Sequence, residues 1–331
     1  MAAYTSLDDP DAFFQVVNYS GNGTAIGSGG NAVTLPGETD MQPDIVWIKR
    51  RDATADHEIA DSGRGVEIRV YPDTDGAQDT GVTEALSVFG SDGFTYGNSG
   101  GGNASGGSYV AWCWKESADA GVDIVTYTGN GSNRTISHSL SAVPEMIIVK
   151  ETSHSTNWAI YHIGTGNTNF LKMNDTAATE DTDNWQDTDP TSSVFSLGSG
   201  GQTNNSSRTY VAYCFAGKQG FSQFGQYEGN AAANGTFIYT GFKPKFLWVK
   251  SADSTSGAYM IPSLTSWFNG NTYWLYSYSN TTESNAAFVD FCSNGFKLRK
   301  NDDINNDETY VYACFAESPL VNSEGEVVHG E

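Results

Sequence analysis

Pro43-Asp44-Ile45-Val46-Trp47-Ile48-Lys49 returns 101 residues later as Pro144-Glu145-Met146-Ile147-Ile148-Val149-Lys150. It returns again, after 100 more, as Pro244-Lys245-Phe246-Leu247-Trp248-Val249-Lys250. Between the proline and the lysine each run is apolar and rich in β-branched and aromatic side chains. It is the length of one strand, too short for a helix and without helical period. An unbroken apolar run of that length is expected to be a strand buried on both faces.

Three further elements recur in the same order. Tyr109-Val110-Ala111-Trp112-Cys113-Trp114 is matched by Tyr210-Val211-Ala212-Tyr213-Cys214-Phe215 and by Tyr310-Val311-Tyr312-Ala313-Cys314-Phe315. Ser91-Asp92-Gly93-Phe94-Thr95-Tyr96 is matched by 192–197 and by Ser293-Asn294-Gly295-Phe296-Lys297-Leu298. Each copy opens on Tyr-x-Gly-Asn, at Tyr19, Tyr127 and Tyr227, and the first copy carries about eight extra residues after its opening. Four ordered elements, repeated three times, define a tandem repeat. The short strands between Gly, Ser and Asn turns predict an all-β chain of three tandem β-sandwich, jelly-roll-like modules of about 100 residues. The expected boundaries are an N-terminal arm at 1–13, modules at 14–116, 121–217 and 221–317, and a polar tail at 318–331. Linkers this short predict modules in contact.

Composition narrows the function. The 331 residues are 38% hydrophobic and 13% aromatic, enough for real cores, and the formal net charge is −22. Nucleic-acid binding needs clustered Lys and Arg, so no nucleic-acid partner is expected. No run approaches the ~20 apolar residues of a membrane span, so no membrane partner is expected either. The first residues have neither a basic region nor an apolar core, so export by a signal peptide is not expected. Three of the four cysteines, Cys113, Cys214 and Cys314, share one repeat position. They are expected to be buried and reduced; Cys292–Cys314 is the one pair within a module.

No motif for catalysis stands out. The five histidines are scattered, and His57 and His162 align with unrelated residues in the other copies. There is no zinc-ligand spacing, nucleophile elbow or phosphate loop. Asp73-Thr74-Asp75-Gly76 starts like a calcium loop, but the later ligands do not follow at the required spacing. A non-enzymatic protein without cofactor or metal is expected. Two groups of residues are candidates for contact. Trp267, Phe268, Tyr273, Trp274, Tyr276 and Tyr278 crowd one non-repeated region of the third module and can meet protein or glycan. Tyr4, Leu7, Pro10 and Phe13 give the arm apolar anchors for docking onto another protein.

The opening 1–19, the Pro-Asp-Ile-Val-Trp-Ile-Lys-Arg and Tyr-Val-Ala-Trp-Cys-Trp-Lys strands, and 221–230 resemble repeat-containing virion structural and tail-fibre-like proteins of marine and cyanobacterial tailed bacteriophages. So do 239–242, 293–299 and 316–319. The resemblance covers nearly the whole chain. It implies a virion component made in the host cytoplasm, with other virion proteins as partners and no catalytic residues. A head decoration or tail-attached knob is the first expectation; a receptor- or glycan-binding fibre or tip protein is the second. A homo-oligomer, by analogy a trimer, is expected.

Overall fold

Side chains of a strand alternate between two faces, and here both faces of the repeated strands are apolar. The computed structural model describes residues 5, 7–263, 272–301 and 303–328, and it is almost wholly antiparallel β-sheet. In each copy an opening strand (Phe14–Ser20, Val122–Thr128, Ser222–Glu228) pairs with the cysteine strand (Ser108–Trp114, Thr209–Phe215, Thr309–Pro319). The cysteine strand pairs in turn with the proline strand (Ile45–Arg50, Met146–Glu151, Phe242–Ser251). A return strand follows (Glu58–Asp61, Ala159–His162, Ala258–Pro262). This order is the same three times, with the cysteine strand central. Gly166–Lys172 and Glu180–Asp181 extend the second sheet, as Thr272–Tyr276 and Ser284–Ala286 extend the third.

A smaller sheet covers one face of each large one. It is built from Asn31–Thr34, Gly93–Tyr96 and Leu86–Gly90; from Arg134–Ser137 and Val194–Leu197; and from Phe237–Tyr239, Gly295–Leu298 and Val289–Cys292. The first strand of each copy thus lies beside the last, and the second beside the next to last, which is the nesting of a jelly roll. Val46, Ala111 and Cys113 pack against Phe94 and Tyr96 in the first copy. Ile147 and Cys214 pack against Phe195 in the second, and Leu247 and Cys314 against Phe296 in the third. All four cysteines are free; Cys113, Cys214 and Cys314 are buried in these interiors, where burial pushes their thiol pKa values up.

The other face of each large sheet is where the copies meet. Alternate residues, among them Val16, Trp47, Trp112, Ile148, Tyr213, Trp248 and Val311, belong to one core shared by all three copies. The last residue of the repeated motif marks its centre. Trp114 and Phe215 lie 6.3 Å apart between ring centroids, Trp114 and Phe315 5.7 Å, and Phe215 and Phe315 6.0 Å. Three equivalent rings in mutual contact form a triangle about a pseudo-threefold axis. A void of about 40 Å³ lies beside it, lined by Ile45, Trp114, Phe215 and Ala313 among others. Ala313 stands where the other copies have Trp112 and Tyr213, and that missing bulk accounts for the gap. Modules that merely touch through short linkers were expected; three sheets sharing one interior were not.

The Tyr-x-Gly-Asn opening is explained by a repeated clamp. Tyr19, Tyr127 and Tyr227 stack on Tyr109, Tyr210 and Tyr310 at 5.0–5.2 Å. The asparagine backbone N–H of Asn22, Asn130 and Asn230 donates to the fully buried side chains of Asn103, Asn204 and Asn305, at 2.7, 3.0 and 3.1 Å.

Candidate functional site

The lysine that ends each repeated proline motif, Lys49, Lys150 and Lys250, is fully buried in every copy. Its ammonium therefore needs acceptors, and it finds them across the copy boundaries. Lys49 Nζ donates to the Asn280 carbonyl at 3.2 Å, from the first copy to the third. Lys150 Nζ donates to the Asp75 carbonyl at 2.9 Å, from the second to the first. Lys250 Nζ donates to the Asp175 carbonyl at 2.8 Å, from the third to the second. The three bonds close a ring. Burial lowers each lysine to about 8. The repeated lysine was visible in the sequence; its acceptors, backbone carbonyls of another copy, were not.

Both buried histidines belong to the same boundaries. Trp47 Nε1 donates to His57 Nδ1 at 2.9 Å, so Nε2 carries the proton and donates to the Tyr276 carbonyl at 2.9 Å. The Gly164 N–H donates to His162 Nδ1 at 3.0 Å, and His162 Nε2 donates to the Tyr312 carbonyl at 3.0 Å. Burial pushes His57 down to about 3 and His162 to about 4, so both are neutral struts at pH 7. The loop at 73–76 is likewise a boundary element: the Asp75 carbonyl also accepts from the Thr156 N–H at 2.9 Å.

The Asp73 carboxylate accepts from the His57 N–H at 3.0 Å, and Asn174 accepts from the Trp158 N–H at 3.0 Å at the equivalent place. Burial, then repulsion from Asp56, raises Asp73 to about 7. A carboxyl raised in the fold stabilises fully below its unfolded pKa near 4, and that contribution is lost as pH rises through about 7. Asp73→Asn keeps the hydrogen bond and removes the charge. Equilibrium denaturation should show equal stabilities at pH 4 and a variant about 1–2 kcal/mol more stable at pH 8; the full shift, roughly 4 kcal/mol, is discounted for partial exposure. Equal stabilities at pH 8 would show that Asp73 ionises there without cost.

The residues singled out as contacts fall differently from expectation. Trp267, Phe268 and Tyr4 lie outside the described residues. Trp274 is 7% exposed and stacks on Phe288 at 4.8 Å, so it is a core residue of the third copy and not a contact surface. Tyr276 packs against that core, with its ring 5.1 Å from Tyr259 and 5.4 Å from Tyr278. Tyr278 packs on the shared core, and Tyr273 is half-buried. The strand Thr272–Tyr276 extends the large sheet, so most of these aromatics are drawn inward. The arm is also committed. Leu7 is 6% exposed in the shared core, Pro10 is buried, and Phe13 meets Phe221 edge-on at 6.2 Å. Asp11 pairs with Lys245, and Asp8 accepts from the Ser323 N–H at 2.7 Å. Of the arm's described anchors, Leu7 and Phe13 pack on the shared core and Pro10 is buried, so these three are engaged within the chain.

A different aromatic pair is open. Among the described residues Tyr239 (59% exposed) and Phe237 (43%) stand out as exposed rings, on the outer face of the third copy's small sheet. Phe237 faces Lys297 across the strand pair and Tyr239 faces Gly295. The signal was present in the sequence as a departure from the repeat: Ala32 and Thr34, then Thr135 and Ser137, occupy these outward positions in the other copies. Elsewhere, a polar cleft of about 430 Å³ lies between the first two copies, lined by Arg64, Gln78, Thr126, Thr152 and Thr209 among others. Arg64 is held in place there by Asp61 and the Tyr213 hydroxyl. Among the described residues no group of three or more His, Cys, Asp or Glu side chains could hold a metal ion, and no helix is long and apolar enough to cross a membrane.

The chain belongs to the family described as a domain of unknown function (DUF7483), whose model matches residues 9–319. That span holds all three copies. No curated protein matches the chain.

Proposed function

We propose that this chain is a non-enzymatic structural protein on the surface of a tailed phage particle, a head decoration or a tail-attached knob. It is made in the host cytoplasm and meets other virion proteins. The observation that carries this reading is the use made of the repeated residues. The cysteines fill three interiors, the terminal aromatics build one axis, and the lysines tie each copy to the next. Such a closed ring resists partial unfolding, because no copy can open without exposing the shared core. The sequence resemblance to virion structural proteins supports the same reading.

A receptor- or glycan-binding tail-fibre or tip protein is the second reading, favoured by the exposed Phe237 and Tyr239. Quantitative mass spectrometry of purified particles carrying the gene separates the two. Hundreds of copies per particle support head decoration, and a dozen or fewer support a tail part. Absence of the protein from washed particles would overturn both. By analogy with other particle-surface proteins a homotrimer is proposed, and sedimentation of the purified chain tests it.

A further inference from the structure

We propose that the outer face of the third copy's small sheet binds an acidic saccharide, with sugar rings stacked on Phe237 and Tyr239 and an acidic group held by Lys297. The proposal does not depend on the structural reading; it deepens the second, glycan-binding one by naming the site and the class of sugar, and copy number per particle tests that reading separately.

The fold does not require these residues. At the two outward positions of the same strand the first copy has Ala32 and Thr34 and the second has Thr135 and Ser137. The inward residue between them is apolar in all three: Val33, Ile136 and Ile238. At the position of Lys297 the other copies have Thr95 and Ser196. Two copies therefore build the same sheet with small residues, and only the third places two aromatics and a cation there.

The ends of both rings come near glycines: a side-chain carbon on Gly295 would meet Phe237 Cζ at 3.1 Å, and one on Gly241 would lie 3.6–3.8 Å from the Tyr239 hydroxyl and the ring carbons next to it. Both rings are open to solvent, Phe237 at 43% and Tyr239 at 59%. The two residues are separated by one position on a strand, roughly 7 Å, which suits neighbouring sugar units on a strand-like platform. A protein hot spot would place its aromatics in a pocket ringed by apolar contacts; the neighbours here are the charged Lys297, Arg299 and Asp290.

The charge supplies the second argument. On a chain of net charge −22 this face carries Lys297 and Arg299. Arg299 is paired with Asp290, which stands across the strands from Lys297. The excess charge of that trio is positive. Lys297 Nζ donates to the Gly235 carbonyl at 2.8 Å, which anchors the amine and leaves it two further protons to donate. An anchored ammonium beside two open rings fits a carboxylate or sulfate on a sugar.

The test uses the purified full chain and calorimetric titration with hexagalacturonate, a heparin hexasaccharide and neutral maltohexaose. At least one acidic oligosaccharide should bind with a Kd in the micromolar to millimolar range, and more weakly as salt rises. Phe237→Thr with Tyr239→Ser installs the residue types that the second copy carries at these positions, Thr135 and Ser137, which such a sheet tolerates. It should weaken binding about tenfold or more while the melting temperature stays within about 2 °C. Lys297→Ser should abolish the preference for acidic over neutral sugar. The proposal is overturned if neither acidic oligosaccharide binds at millimolar concentration, if maltohexaose binds equally well, or if the double variant binds as the parent does. It is also overturned if the double variant instead abolishes self-association seen by sedimentation, since the face would then be a protein contact.

Discussion

Phe315→Ala is expected to destabilise the entire chain by about 4–5 kcal/mol, the upper part of the range for removing a buried aromatic ring. Phe315 is 3% exposed and is one of the three rings that surround the pseudo-threefold axis. Its ring has centroids of Phe14 at 5.0 Å, Trp114 at 5.7 Å, Phe224 at 5.9 Å and Phe215 at 6.0 Å around it, drawn from all three copies. The void of about 40 Å³ already beside it leaves the neighbours poorly placed to collapse into the new space. Denaturant unfolding followed by tryptophan fluorescence should show one transition shifted as a whole, because Trp47, Trp112 and Trp248 share that interior with it. Phe237→Ala, an exposed ring, serves as the comparison and should change stability by less than about 1 kcal/mol. If the third copy melted alone while the others kept their midpoint, the shared core would not be what couples them.

Gly229→Ala is expected to cost about 3 kcal/mol or more, or to prevent folding of the third copy. An added side-chain carbon would sit 1.8 Å from the Asn306 carbonyl oxygen, a contact with backbone that no rotamer can relieve. The same approach recurs at Gly21, 2.1 Å from the Ala104 oxygen, and at Gly129, 2.2 Å from the Asn205 oxygen. The glycine of the opening motif is thus required by close approach, and relief would mean pulling the stacked tyrosine and the buried asparagine apart. Gly100→Ala, where nothing lies within 4 Å of the added carbon, should by contrast leave stability within about 1 kcal/mol of the parent. Thermal unfolding of Gly21→Ala, Gly129→Ala and Gly229→Ala side by side measures whether the three clamps matter equally. A small loss at all three would mean that the loops carrying Ala104, Asn205 and Asn306 shift freely, against the tight clamp described above.

Much of this was legible in the residues themselves. The 100-residue period and the all-β class follow from apolar runs of strand length at fixed offsets, since strand alternation is a local property. The double-sided burial of Ile45–Arg50 and its copies was also readable, because a run without polar alternation has no face to give to water. What covered the second face was not readable. The partners of Trp114 are Phe215 and Phe315, about 100 and 200 residues away, and only the closing of three sheets about an axis brings them together. The lysines illustrate the same limit: their repetition marks them as important, but their acceptors at Asn280, Asp75 and Asp175 are backbone carbonyls, which no side-chain pattern encodes. Tertiary structure also decided the fate of the apolar residues outside the repeat. Leu7 and Trp274 went inward because a core was within reach, while Phe237 and Tyr239, at outward positions of a strand whose other face was already buried, were left in solvent.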